Sequence, residues 1–210
     1  KMCDILLVGG TRAAASASAA SGSVPPANGS WVWSSAGKGT NITLSDGNSV
    51  FEVGSRSGSS SSGSTTEGAR GSVGWTSGTH AWVLRFDSGT GSHGAVGLCT
   101  GAHTLFQDSY THALGNDTHS WGWHKDGAVY FNGKEVARTE TFTEGDRLTL
   151  ELDLTGNLGT LTLCKGSAAP CYTLRGIRKD VPLYPAAVTP MASGKVRVVD
   201  SMATPSGTTV

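Results

Sequence analysis

RLTLELDLTGNLGTLTL, residues 147–163, is the stretch from which the fold can be read. Leu148, Leu150, Leu152 and Leu154 alternate with Thr149, Glu151 and Asp153, so an extended chain here is apolar on one face and polar on the other. A period of two is what a half-buried strand requires, because successive side chains leave the pleated backbone on opposite sides. The TGNLG that follows supplies turn residues, and Leu161 and Leu163 resume the alternation, which makes the stretch a β-hairpin. The same period recurs on both sides of it. Trp82, Leu84 and Phe86 alternate with Val83, Arg85 and Asp87; Val129 and Phe131 flank Tyr130; Val196 and Val198 flank Arg197. Short strands separated by Gly, Asp and Asn turns predict an all-β chain folded as a two-layer antiparallel β-sandwich.

Composition agrees with that reading. The 210 residues include 30 glycines and only 15% charged side chains, which suits tight turns better than a helical bundle. The length suits one domain, expected over 1–200 with a flexible tail at 201–210. Sixteen Lys plus Arg balance sixteen Asp plus Glu, so no net field gathers nucleic acid or an anionic membrane, and neither is an expected partner. Two stretches break the patterning: 11–29 (TRAAASASAASGSVPPANG) and 55–72 (SRSGSSSSGSTTEGARGS). Both are read as disordered inserts, because small polar residues cannot recover ordering entropy by burial.

The cysteines at 3, 99, 164 and 171 form no CxxC pair, so free thiols in a reducing compartment are expected, with the chain intracellular, cytoplasmic or nuclear. Asp4 to Val8 is apolar over about a third of the length that an export signal needs. N-x-S/T triplets at Asn28, Asn41 and Asn116 carry little meaning without such a signal. The chain opens at Lys1, which leaves room for it to be part of a larger polypeptide or complex.

Further motifs point to a family. GWTSGTHAWVLRF (74–86), GSHGAVGLCT (91–100), LGNDTHSWGWHKDGAVYFNGK (114–134), the 145–163 hairpin and LRGIRKDVPLYPAAV (174–188) resemble, in order, the motifs of the SPRY domain family. The chain is most similar to the SPRY domains of F-box and SOCS-box proteins, which act as substrate receptors of ubiquitin ligases. The resemblance implies a non-catalytic protein-interaction module that binds a short protein or peptide segment through loops at one end of the sandwich. It carries the family's ligand contacts onto Ser92 beside His93, onto Tyr110 with Ala113, and onto Met191, Ala192 and Ser193, with the loop through Val53 to Arg56 completing the rim. Ala113 stands where the subgroup prefers a larger apolar residue, and Met191 to Ser193 where it often has an aromatic one. No F-box, SOCS box, RING or HECT-like segment lies in these 210 residues, so the ubiquitin connection is analogy.

The same residues have plainer readings. Trp121 and Trp123, two apart on one strand, are expected in the core, and Tyr184 in the core or at a strand edge. Gly133 is assigned to a hairpin turn that needs positive φ. No catalytic residue, metal or cofactor is expected. The chain has no G-x-S-x-G elbow, Ser92-His93 are adjacent rather than convergent, and GKGT at 37–40 lacks the spacing of a phosphate loop. His103, Asp108 and His112 are read as solvated loop residues, and His119 and His124 as the ends of the Trp strand. Two other functions are open: a carbohydrate-binding β-sandwich, which needs an exposed aromatic platform, and a structural subunit of a large complex.

Overall fold

The computed structural model describes residues 30–54, 66–91, 93–107, 114–166, 172–189 and 194–200. Among them the chain forms fifteen β-strands and no helix. In order these are β1 (Trp33–Lys38), β2 (Ile42–Ser45), β3 (Val50–Val53), β4 (Thr66–Gly71), β5 (Thr79–Ser88), β6 (Ala95–Thr100), β7 (Phe106–Gln107) and β8 (Ser120–His124). There follow β9 (Ala128–Phe131), β10 (Lys134–Arg138), β11 (Leu148–Asp153), β12 (Gly159–Lys165), β13 (Tyr172–Ile177), β14 (Leu183–Thr189) and β15 (Lys195–Asp200).

The strands divide into two antiparallel sheets. One runs β13-β12-β11-β5-β15-β3-β2; the other runs β1-β4-β14-β6-β8-β9-β10, with β7 added beside β4. Register explains why the alternating leucines matter. Leu150 lies opposite both Trp82 of β5 and Leu163 of β12, and Leu148 lies opposite Leu84, so apolar positions of one parity form continuous rows on the inner face. A slip of one residue would turn every one of them to solvent.

Between the sheets these rows meet Val96, Leu98, Trp121, Trp123, Val129 and Ala187 from the other sheet. Trp121 and Trp123 are 3% and 1% exposed, as the spacing predicted. The large rings pack mostly edge to face. Trp31 stands at 78° to Trp33 with centroids 5.1 Å apart, and Trp123 at 78° to Phe142 at 5.3 Å. In such pairs the positive edge of one ring meets the electron-rich face of the next, worth about 0.5–1.5 kcal/mol beyond burial. The YFNGK hairpin turns at Asn132 (φ 53) and Gly133 (φ 70), so the positive φ assigned to Gly133 is present.

Three expectations need correction. The insert expected over 55–72 ends earlier, because Thr66–Gly71 form β4, hydrogen-bonded to β1 on one side and β14 on the other. TEGARG has no large apolar side chain; the strand is imposed by its paired neighbours, and Gly68 admits Val188, whose Cγ1 lies 2.6 Å from where a Cβ would stand. The remaining inserts at 11–29 and 55–65, and the tail at 201–210, lie outside the described residues.

The sandwich also carries a covering arm. Residues 101–107 and 114–119 flank an undescribed stretch, and Leu105 and Leu114 close a second small core on the outer face of the eight-stranded sheet over Ala95, Cys99, Ala186 and Val188. His103, expected to be solvated, is buried in this arm, because its ring is bonded to Asp117. The expectation of free thiols holds for Cys99 and fails for Cys164, which is disulfide-bonded.

Candidate functional site

The sequence placed the binding residues on loops at one end of the sandwich. Of those residues the structure describes His93, a half-buried turn residue; Ser92, Tyr110, Ala113, Met191, Ala192 and Ser193 lie outside the described residues, as do residues 55 and 56 of the rim loop. What the structure shows is where the chain enters and leaves these segments. Gly54 follows β3, and Thr66 opens β4. Gly91 and His93 bracket position 92. Gln107 ends β7, and Leu114 resumes the covering arm. Thr189 ends β14, and Gly194 precedes β15.

Strand register brings these points together. Thr66 pairs with Gln107, Glu67 pairs with Thr189, and Ala95, the first residue after the 89–94 turn, pairs with Val188 and His124. Gly194 accepts the Val53 amide at 2.9 Å, tying the start of β15 to the end of β3. The anchors of all these segments therefore lie at one end of the sandwich.

The anchors are held by hydrogen bonds rather than by bulk. The Thr189 hydroxyl donates to the Gly89 carbonyl, the Thr90 amide donates to the Glu144 carboxylate at 3.2 Å, and Gly94 N–H returns to the Thr90 carbonyl at 2.8 Å. Thr90 and Thr189 are buried, so the turn carrying His93 sits on a fixed base. Glu67 is only 4% exposed, yet its carboxylate accepts both the Asn41 backbone amide (3.0 Å) and the Asn41 side-chain amide (2.5 Å). These bonds compensate the buried charge and join the two sheets at the site's edge.

The covering arm is clasped on the far side of residues 108–113. His103 Nδ1 lies 2.8 Å from Asp117 Oδ2, while Asp117 Oδ1 accepts the Ser120 hydroxyl at 2.7 Å and the His119 amide at 2.9 Å. Burial acts to raise the Asp117 pKa, but the bonds from His103 and Ser120, the His103 charge and the His119 amide outweigh it and leave the carboxyl below its ordinary value. Nearer the segment, His124 Nε2–H donates to the Leu114 carbonyl at 2.8 Å. Burial pushes the His124 pKa down, with His93 adding to the fall and the Leu114 bond and Asp126 opposing it. Gly122 lets the arm approach the sheet, since a Cβ there would stand 2.8 Å from Leu114 Cβ.

This set contains Ser, His and Asp without the geometry of a catalytic triad. His103 and Ser120 both bond to Asp117, whereas a triad needs the imidazole between nucleophile and acid. No group of three or more His, Cys, Asp or Glu among the described residues is arranged to hold a metal. Lys38, in the GKGT stretch, spends its ammonium on the Ile42 carbonyl at 2.6 Å. His124 does end its strand, as the sequence suggested, and His119 stands just before it. Sequence reasoning missed Thr66, Glu67, Thr90, Thr189 and the His103–Asp117 pair. The signal available for Thr66 and Glu67 was the change from pure Ser/Gly/Thr to TEGAR at the end of the insert.

Two antiparallel sheets packed face to face define the class: an all-β, two-layer β-sandwich domain. The particular family follows from comparison. Residues 79–200 match the SPRY domain, and the chain belongs to that family. It is 28% identical over 142 residues to F-box/SPRY domain-containing protein 1 of Danio rerio, covering 64% of this chain and 48% of that protein. It is 32% identical over 144 residues to human SPRY domain-containing SOCS box protein 2, covering 64% of this chain and 54% of that protein. The chain thus spans about half the length of these curated relatives. The SPRY domain of human HERC1 superposes with a TM-score of 0.64 at 19% identity, over 80% of this chain and 97% of that one. The TRIM65 PSpry domain gives 0.63 at 17%, over 81% and 90%. The chain is accordingly a SPRY domain related to F-box/SPRY and SPRY–SOCS box proteins, a family of protein-interaction modules.

Proposed function

We propose that this SPRY domain binds a short, extended segment of a partner protein through the loops at the end of the sandwich where β3, β4, β7 and β14 begin or end, and that it performs no chemistry there. The observation that carries the proposal is the convergence of the loop anchors on a hydrogen-bonded base around Thr90, Thr189 and Glu67. Loop anchors that are fixed in advance reduce the ordering cost of binding, so few contacts suffice for useful affinity. The contacts are assigned to Ser92, His93, Tyr110, Ala113 and Met191 to Ser193, with Tyr110 as the main anchor because an amphipathic ring supplies area and a hydroxyl at small entropic cost. The relatives' F-box and SOCS-box names support a role as the substrate-recognition part of a ubiquitin ligase or another multiprotein assembly.

The carbohydrate reading is less well supported. Trp31, Trp33, Trp82, Trp121 and Trp123 are buried, and the half-buried Trp75 stacks on His80 with centroids 4.2 Å apart. No open indole platform stands among the described residues. Proteome-wide capture with the wild-type chain, run beside a glycan array, tests the assignment: specific protein capture that a Tyr110→Ala variant loses supports it, and glycan binding without such capture contradicts it.

A further inference from the structure

Asn132–Gly133, at the tip of the β9–β10 hairpin, is the one Asn–Gly pair among the described residues, and both residues are exposed. Such a pair can react with itself. The backbone nitrogen that follows an asparagine lies within reach of its side-chain amide carbon, and a glycine there puts no Cβ in the way of the approach. In this turn that nitrogen is engaged elsewhere. Gly133 N–H donates to the Gly115 carbonyl at 2.9 Å, and Asn132 N–H donates to the Asp117 carbonyl at 3.1 Å. Both acceptors belong to the covering arm, and both are fixed in turn. The Gly115 amide donates to the buried Ser120 hydroxyl at 2.8 Å, and that hydroxyl donates to the Asp117 carboxylate, which also holds His103 and the His119 amide. A Cβ at Gly115 would run into the Tyr130 carbonyl, so this part of the arm lies directly on β9.

We propose that Asn132 is a modification site of this chain, converted by water into aspartate and isoaspartate, and that the Gly115 and Asp117 carbonyls control its rate by holding the turn amides. The Gly133 nitrogen reacts only after giving up its proton to hydroxide, and the hydrogen bond to Gly115 keeps that proton in place. Reaction therefore waits for a local opening in which the turn parts from residues 115–117, as amide hydrogen exchange does. The nitrogen then attacks Asn132 Cγ and forms a new C–N bond. The bond from Cγ to the side-chain nitrogen breaks, and that nitrogen leaves as ammonia with a proton taken from water. The product is a cyclic imide. Water adds to either of its carbonyl carbons and reopens the ring: cleavage of the new bond leaves aspartate, and cleavage of the original peptide bond leaves isoaspartate. Water is consumed and ammonia released, with no change of oxidation state. Isoaspartate routes the main chain through the side-chain carbon, so the lengthened turn no longer presents both amides to the Gly115 and Asp117 carbonyls.

Peptide mapping of the full chain tests the proposal. The protein is incubated in mildly alkaline buffer, folded or in urea, and digested with trypsin beside a zero-time sample. Cleavage after Lys125 and Lys134 yields the peptide 126–134, which contains no other amide side chain, so a mass change from amide to acid in it reports Asn132. Conversion is expected to be slow in the folded chain and at least about tenfold faster in urea, as for amides that react only through opening. Chromatography should resolve two acid products of equal mass, aspartate and isoaspartate. No conversion in urea, equal rates in the two conditions, or aspartate alone overturns the proposal. Variants test the control by the arm. Asp117→Ala removes the carboxylate that fixes residues 115–120, and it should convert Asn132 about tenfold faster than the folded wild type, the population change that loss of a charge-assisted hydrogen bond brings. The milder Ser120→Ala, which removes only the hydroxyl between Gly115 and Asp117, should act in the same direction. Leu161→Ala, which removes core area from the seven-stranded sheet, should leave the folded rate near that of the wild type. A wild-type rate in both arm variants, or equal acceleration by Leu161→Ala, contradicts the control assigned to the arm.

Discussion

Between the sheets, Trp82, Leu84, Phe86, Trp123 and the β11 leucines form a core of large side chains fixed by strand register. Outside the eight-stranded sheet, Leu105 and Leu114 close a far smaller core over Ala95, Cys99, Ala186 and Val188, and a polar clasp around Asp117 holds them there. The first region draws its stability from buried area and would form whatever the loops contain. The second has little area to draw on, so hydrogen bonds to one carboxylate and one carbonyl decide where the covering arm lies, and with it where residues 108–113 begin and end. Stability and site geometry are therefore lodged in different parts of the molecule, and substitutions in the two regions should have different signatures.

The largest effect belongs to the inter-sheet core. Trp123→Ala and Trp121→Ala should each destabilise by about 3–5 kcal/mol in denaturant titrations, the usual result of removing a buried large aromatic. A change below about 1 kcal/mol at both would erase the distinction between the regions. Leu114→Ala should cost about 2–3 kcal/mol, near the low end for a buried leucine because the small core beside it can partly collapse. It should also weaken partner binding, which neither Trp variant does once folding is corrected for.

The clasp should respond to acid. The Asp117 pKa is held below its ordinary 3.8, so the unfolded chain binds the proton more readily; the stability this supplies is full above 3.8 and is lost as pH falls through the lower folded value. The His124 pKa is also lowered, from 6.5, but His124 is a base. The unfolded chain takes up a proton that the folded chain refuses, so its influence removes stability as pH falls below 6.5, down to the folded value. Thermal melts across pH should therefore show one decline starting near 6.5 and a second below 3.8. Asp117→Asn should shrink the second and spare the first. Asp87, also held low, keeps part of the acid decline in that variant.

The inter-sheet core was legible in the sequence because period two in Leu148 to Leu154 and in Trp82 to Phe86 is itself the packing instruction. The strand β4 was not. Its glycines, alanine and arginine carry no apolar period, and only the neighbouring strands, brought from 33–38 and 183–189, make that stretch extended. His103 was misread for a related reason: its burial depends on Asp117, fourteen positions away in a segment without periodicity. The disulfide of Cys164 was hidden because no CxxC pair or other spacing in the sequence marks it. The candidate site rests on resemblance for its loops, while the hydrogen bonds among Thr90, Thr189, Glu67 and their partners appeared only in the fold.

The smallest expected effect on stability is also the most informative. Tyr110→Ala should change the unfolding free energy by less than about 0.5 kcal/mol, as expected of the loop position that the family resemblance assigns to it, while weakening partner binding by about 2 kcal/mol or more, as removal of an aromatic hot spot does. Calorimetric titration of a captured partner segment against the wild type and Tyr110→Ala, with thermal melts of both, tests the separation of fold from site most directly. Matched melting temperatures with at least a 30-fold loss of affinity are the predicted result. Unchanged affinity, or a lost affinity that only follows a much lower melting temperature, would contradict it.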